Sequence, residues 1–359
     1  MTRLVPHGDI GRTRDPMEER RAMSLLASLE GRLSLPAIAA PLFIISVPDL
    51  VVAQCTAGVV GSMPSLNARP AEQFEEWVVE IQERLAAHDG RNPERPAAPF
   101  AINLIVHKSN DRLEHDLAIC VKHRVPIIIT SLGARPEVNE AVHSYGGYVL
   151  HDVINQNFAR KAVEKGADGL VLVAAGAGGH AGSISPFALV RETRAWFDGP
   201  LALSGAISHG ASILAAEAMG ADFGYIGSAF IATSEARAGD EHKQMVVENA
   251  AGDIVYTNAI TGVYGNYLKA SLRRAGLDPE NLPTSDPSQM SFGTERKRRW
   301  KDIWGSGQGI GGVGAVVPAS ELVARLRREY HETRARLGAL SPMVNPAWSG
   351  DPALSNAAA

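Results

Sequence analysis

The chain is 359 residues long, which at about 150 residues per domain leaves room for two domains or for one large domain with an appendage. Hydrophobic residues make up 45% and charged residues 21%, so neither a fibrous nor an intrinsically disordered chain fits. A formal net charge of -4, from 35 basic and 39 acidic residues, supplies no global field that would draw nucleic acid or an anionic membrane.

In chain order, residues 1–30 read as an N-terminal extension without the apolar stretch of a secretory leader, and no segment reaches 18 uninterrupted apolar residues, which points to a cytoplasmic protein. Eight short runs rich in β-branched residues follow, at 35–46, 58–61, 100–106, 126–130, 147–153, 169–174, 200–204 and 223–227. Between most of them lies a stretch of helical periodicity, at 71–87, 112–123, 135–144, 157–166, 186–197 and 211–220. This alternation is the pattern of repeated βαβ units, and it predicts an α/β chain with a TIM (β/α)8 barrel over 31–238. Past that point the alternation stops. Residues 239–320 read as a mostly helical second domain inserted after the last barrel strand, with a break at 257–262 and a loop at 277–294. A region so placed commonly serves as a lid over the barrel mouth. The basic run Arg296 to Lys301 fits a solvated helix face, a closing helix occupies 321–339, and a flexible tail fills 340–359. Cys55 and Cys120 stand far apart in apolar surroundings, so they read as buried free thiols, and no metal-ligand set is assigned.

Glycine, at 35 residues, exceeds its usual share of roughly 7% and is unevenly spread. Two stretches match the dinucleotide fingerprint G-x-G-x-x-G/A, and both fail its context. The one from Gly307 to Gly312 follows no strand and reads as a flexible loop. The one from Gly176 to Ala181 follows a strand, but Ser183-Ile184-Ser185-Pro186 delays the helix and the next strand ends in Ser204 without a ribose-binding acid. On a barrel the same glycines acquire another meaning. The seventh run ends in Ser204-Gly205-Ala206 and the eighth in Gly227-Ser228, the pair of loops where such barrels bind phosphate through close backbone N–H groups. The sixth ends in Gly178-Gly179-His180, small residues with one imidazole at the edge of a flat space.

The ordered set Gly178-Gly179-His180-x-Gly182, Ser204-Gly205-Ala206-Ile207 with Gly210, and Gly220-Ala221-Asp222 with Gly227-Ser228-x-Phe230-x-Ala232-Thr233 resembles the nitronate monooxygenase family, formerly called 2-nitropropane dioxygenase. It is also similar to enoyl-acyl-carrier-protein reductases of the flavin type. Ala40-Pro41, Asn103 and Trp304-x-x-Gly307-Gln308 extend the likeness over most of the chain. The resemblance implies a barrel holding FMN without covalent attachment. By position, Ala40, Pro41 and Asn103 would contact the flavin, Gly178 and Gly179 would lie by its ring, and Ser204, Gly205, Ala206, Gly227 and Ser228 would hold its phosphate. Gln308 would return toward the cofactor from the C-terminal segment.

Some positions depart from the pattern the resemblance implies. Phe158 stands where members of one subgroup carry a catalytic histidine, and a phenyl ring moves no proton. His151 matches a second histidine of that subgroup, while Asp152 replaces its lysine. Tyr225 and Ala229 stand where glutamine and arginine are usual. The implied reaction is oxidation of an alkyl nitronate by O2, with His180 orienting the nitro group or stabilising its charge and His151 as the backup for proton transfer. Two other readings stay open: an NAD(P)H-dependent flavin reductase acting on a quinone or an enoyl thioester, and a flavin-binding barrel without turnover. The partner in each case is a small molecule, with a homodimer one option for the assembly.

Overall fold

The computed structural model describes residues 25–285 and 303–338. Eight parallel strands stand side by side as staves: β1 (Ala37–Ala39), β2 (Gly61–Pro64), β3 (Phe100–Ile105), β4 (Ile127–Ser131), β5 (Tyr148–Val153), β6 (Gly169–Val173), β8 (Leu201–Ser204) and β9 (Phe223–Ile226), with β7 (Gly179–His180) belonging to a second sheet. Their order is β1-β9-β8-β6-β5-β4-β3-β2. Two backbone bonds, Ala39 N–H to Val60 O at 2.8 Å and Val60 N–H to Ala37 O at 3.2 Å, join the two ends and close the ring.

The strands form because their side chains suit both faces of a buried stave. On β4, Ile127 and Ile129 point into the barrel with Ile38, Leu150, Val171 and Ala202, whereas Ile128 points out to the helix layer. That layer is built from α1 (Pro48–Thr56), α2 (Gln73–Arg91), α3 (Leu113–Lys122), α4 (Pro136–His143), α5 (Gln156–Glu164), α6 (Pro186–Arg194) and α7 (Gly210–Met219). After β9 come the short α8 (Ser228–Ile231), α9 (Asp240–Glu248), a hairpin of β10 (Ile254–Thr257) and β11 (Gly265–Leu268), α10 (Lys269–Arg274) and the closing α11 (Ala319–Gly338). α11 is tied to α7 by Tyr330 Oη donating to Glu217 at 2.6 Å and Gly210 N–H donating to Glu329 at 2.9 Å. Among the described residues, no helix is long and apolar enough to cross a membrane, and Cys55 and Cys120 are both buried free thiols.

The structure corrects the sequence reading in four places. The run at 35–46 contributes only three strand residues, because Pro41 lacks an N–H and the chain turns before α1, a helix the reading did not include. α1 escapes notice since Leu50, Val51, Val52 and Cys55 leave it apolar on most sides, without an amphipathic period. The second strand lies at Gly61–Pro64 rather than 58–61. The region after residue 239 keeps its helices but also contains β10 and β11, which pair antiparallel, and β11 pairs with β7 in turn. The sequence Ile254-Val255-Tyr256-Thr257 has strand chemistry, β-branched and aromatic, and the expected break at 257–262 is the turn between the two strands. Of the expected extension, Leu25 and Leu29 are buried and join the barrel's interior cluster. The basic run at 296–301, the far part of the loop at 277–294 and the tail at 340–359 lie outside the described residues.

Candidate active site

At the C-terminal ends of the barrel strands lies a cavity of about 590 Å3, within the range of small-molecule and cofactor sites. Its floor follows from strand alternation. Since Ala101, Ile129, Leu150 and Tyr225 all face the barrel interior, the residues two places further along their strands, Asn103, Ser131 and Asp152, face inward at the rim beside Tyr225. Asn103 Nδ2 donates to Ile129 O at 3.0 Å and to Ser131 Oγ at 2.7 Å, so both amide hydrogens are committed and Oδ1 remains as an acceptor. The Ser131 hydroxyl and the Leu132 backbone N–H meet the carboxyl of Asp152; burial nevertheless outweighs them and raises Asp152 to about 6.

The walls are the glycine-bearing loops. Gly205 sits at φ +141°, and a Cβ there would come 2.7 Å from Ala175 O, so the loop after β8 can take its course only with glycine. Ala206 follows at φ 55°. Gly178 is held by a neighbour: a Cβ would stand 2.7 Å from Gly307 N. The segment from Gly305 to Gly312 is therefore not the flexible loop expected from its composition. It is strapped across the loops after β6, β8 and β9 by Gln308 N–H to Gly176 O at 2.9 Å, Ser208 Oγ to Gly309 O at 2.6 Å and Gly307 N–H to Ser228 Oγ at 2.8 Å. Gln308 itself lies behind Gly176 and is not a wall of the cavity.

The roof comes from the second sheet and from the region beyond the barrel. His180, on β7, lies opposite Gly265 of β11, with Nε2 3.1 Å from Thr261 Oγ1. Burial lowers His180 to about 4, so its ring is neutral at pH 7. His242 of α9 stacks on Trp304 at 4.4 Å and 12°, and the Arg274 guanidinium lies over the same side chain, 3.7 Å from the ring centre. Arg274 is paired in turn with Glu241 at 2.6 Å.

The structure brings together Ala40, Pro41, Asn103, Gly178, Gly179, His180, Ser204, Gly205, Ala206, Gly227 and Ser228 around this one cavity. It does not bring His151 there. Its neighbour Asp152 faces inward, so His151 faces out, buried, with Nδ1 2.5 Å from Thr130 Oγ1. Burial, then the charge of Lys165, lowers it to about 4. Phe158, at the start of α5, is 48% exposed and stands outside the cavity wall. The sequence reading passed over Ser131, Asp152, His242 and Trp304 as cavity groups. For Asp152 a signal was present: a carboxylate near the C-terminal end of a barrel strand, two places beyond an inward-facing leucine.

A closed parallel barrel whose polar residues gather at one rim under a cap defines an enzyme of the TIM-barrel class. A family model described as nitronate monooxygenase matches residues 27–329. The nitronate monooxygenase of Paraburkholderia phytofirmans is 27% identical over 357 residues, covering 84% of this chain and 94% of that protein. Among solved structures, nitroalkane oxidase from Streptomyces ansochromogenes aligns with a TM-score of 0.71 at 23% identity, over 86% of this chain and 99% of its own. FabK from Thermotoga maritima aligns with a TM-score of 0.69 at 20% identity, over 87% and 97%. This chain belongs to the nitronate monooxygenase family and is an oxidoreductase.

Proposed function

We propose that the protein is an FMN-dependent oxidoreductase that oxidises alkyl nitronates with O2. The observation that carries this reading is the cavity: a space of about 590 Å3 over a polar floor, walled by Gly205-Ala206 and Gly227-Ser228 and faced by the neutral imidazoles of His180 and His242. These residues fit a flavin mononucleotide. Gly179, at φ +68°, has no heavy atom within 4 Å of where a Cβ would stand, which leaves room for a ring against the backbone. Asn103 Oδ1 is an acceptor for a ring N–H, and the loops after β8 and β9 would hold the phosphate.

The flavin supplies the redox chemistry when bound, passing electrons from the carbon substrate to oxygen. The chain's part is binding, orientation and exclusion of water. His180, its ring held by Thr261, offers the substrate a hydrogen-bonding edge without a charge. A nitronate has already lost its α-proton. The neutral nitroalkane has not, and Phe158 and His151, the two positions where the family resemblance placed proton transfer, are outside the cavity. Turnover of nitronate with little turnover of the neutral nitroalkane is therefore expected, and His180→Asn should lower kcat/KM for the nitronate about tenfold or more. Oxygen uptake with both substrate forms, and anaerobic mixing with NADH or NADPH, test the proposal. Equal rates on the neutral nitroalkane refute the assignment of substrate form, and flavin bleaching within seconds by a reduced nicotinamide with no reaction toward nitronate refutes the oxidase reading.

A further inference from the structure

The cavity has two chemically different faces. The cap side presents His180, His242 and Trp304; the barrel side presents Asn103, Ser131, Asp152 and Tyr225. A flat ligand whose phosphate is gripped by the loops after β8 and β9 lies over the strand ends, so its lower face meets the barrel residues and its upper face is left to the substrate. Asp152 then addresses the cofactor.

We propose that Asp152 is the proton acceptor that accompanies reduction of the flavin: its carboxylate takes up a proton from solvent when the ring above it gains two electrons. The inference rests on the reading that a flavin occupies the cavity. Two electrons bring two negative charges. One is offset by a proton bound on the ring, the other by a proton forming an O–H bond on Asp152, and no bond between flavin and protein forms or breaks. The electrons come from the carbon substrate in turnover and from an electrode or dithionite in the test.

The geometry supports this in three ways. Asp152 faces the cavity from the barrel side, and Asn103 Nδ2 donates to Ser131 Oγ at 2.7 Å while the Ser131 hydroxyl and the Leu132 N–H donate to Asp152; these donors favour the ionised carboxylate, which leaves it able to accept a proton once the ring gains charge. The side chain is half-buried in the cavity floor, and burial already opposes its charge, so a second negative charge on an adjacent ring would add to a repulsion that one proton relieves. The neighbouring charge set is mixed, and the groups nearest Asp152 in the barrel floor bring no cation. Facing Asp152 from β9 is Tyr225, which its own burial and Asp152 keep in the neutral phenol form. His151, on the same strand, faces away. Across the cavity His180 and His242 are neutral at pH 7, and Arg69, Arg112 and Asp111 complete the ionisable groups lining it. Arg112 is engaged with Asp116 at 3.0 Å and Ala68 O at 2.7 Å.

The test is the slope of the flavin midpoint potential against pH, measured by potentiometric titration of the FMN-loaded protein between pH 7 and 8.5, which reads protons taken up per two electrons. The expected result is two protons for the wild type, one for Asp152→Asn, and two again for Asp152→Glu. A wild-type count of one overturns the proposal on its own, so the test survives if Asp152→Asn does not fold, and a count of two in Asp152→Asn overturns it as well. A protein that purifies colourless and binds no added FMN is a different failure, that of the flavin reading.

Discussion

Gly178 offers a test of how tightly the strap is bound to the barrel. Replacing it with alanine places a Cβ 2.7 Å from Gly307 N, 3.0 Å from Ser306 C and 3.1 Å from Ser228 Oγ. Two of these atoms are backbone, so the strap must move. Overpacking of this kind costs about 1–3 kcal/mol, and the Gly307 N–H to Ser228 Oγ bond of 2.8 Å, which the displacement lengthens, contributes about 1 kcal/mol more. The expected loss is about 2–4 kcal/mol, a fall in Tm on the order of 4–8 °C. Gly179→Ala is the internal control. It meets nothing within 4 Å, and only its φ of +68° is strained, at about 1 kcal/mol. Urea unfolding of the apoprotein gives the ranking, and fluorescence titration with FMN gives the consequence for the site, weaker binding in Gly178→Ala because Gly176, Gly305 and Gly307 line the same cavity. A Gly178→Ala protein at least as stable as Gly179→Ala would show that the strap is loosely held.

Two further outcomes follow from buried groups. His242 is lowered to about 4 by burial and, secondarily, by Arg274, so its folded pKa lies below the ordinary 6.5. The unfolded chain binds the extra proton between those values, and stability present above pH 6.5 is lost as the pH falls toward 4, by about 1–3 kcal/mol for this residue. His242→Phe keeps a ring against Trp304 and should lose less stability between pH 7 and 4.5 in urea unfolding; an unchanged pH dependence would exclude His242 as a contributor. Cys55 is pushed up to about 12 and Cys120 higher still, each mainly by burial. A thiol reagent at pH 8 should find neither in the native protein and both after denaturation, and rapid native labelling would contradict the packing around α1 and α3.

The sequence displays the barrel because each stave is a short apolar run and most are followed by an amphipathic helix, a local pattern repeated often enough to read. It displays the loop after β8 for a similar reason, since Gly205, at φ +141°, answers a backbone requirement that stays within a few residues, whereas Gly227 after β9 has an ordinary φ of -108° and is not required in that way. What it hides is long-range. α1 has no period to detect. The hairpin β10–β11 is held by β7, some 75 residues earlier, and the strap is held by Gly176, Ser208 and Ser228, so neither is visible in its own composition. His151 shows the remaining difficulty. A one-residue shift along a strand exchanges the two faces, and the sequence favoured the histidine when the inward position belonged to Asp152.

That exchange changes what the site can do. With an inward histidine, the barrel side would carry a base of ordinary pKa near 6.5 and could abstract or return a proton without gaining negative charge. With an inward aspartate, the same position carries a half-buried carboxylate whose charge the neighbouring Tyr225 phenol feels, and a ligand that becomes more negative there either is repelled or raises the carboxyl's affinity for a proton. The cap side makes the opposite contribution, since His180 and His242 are both kept neutral by burial and add no compensating positive charge. Negative charge arriving in the cavity is thus met by proton uptake on the barrel side more readily than by a fixed cation on the cap. The hydrogen-bonded line from Asn103 through Ser131 to Asp152 is the part of the molecule on which that distinction depends.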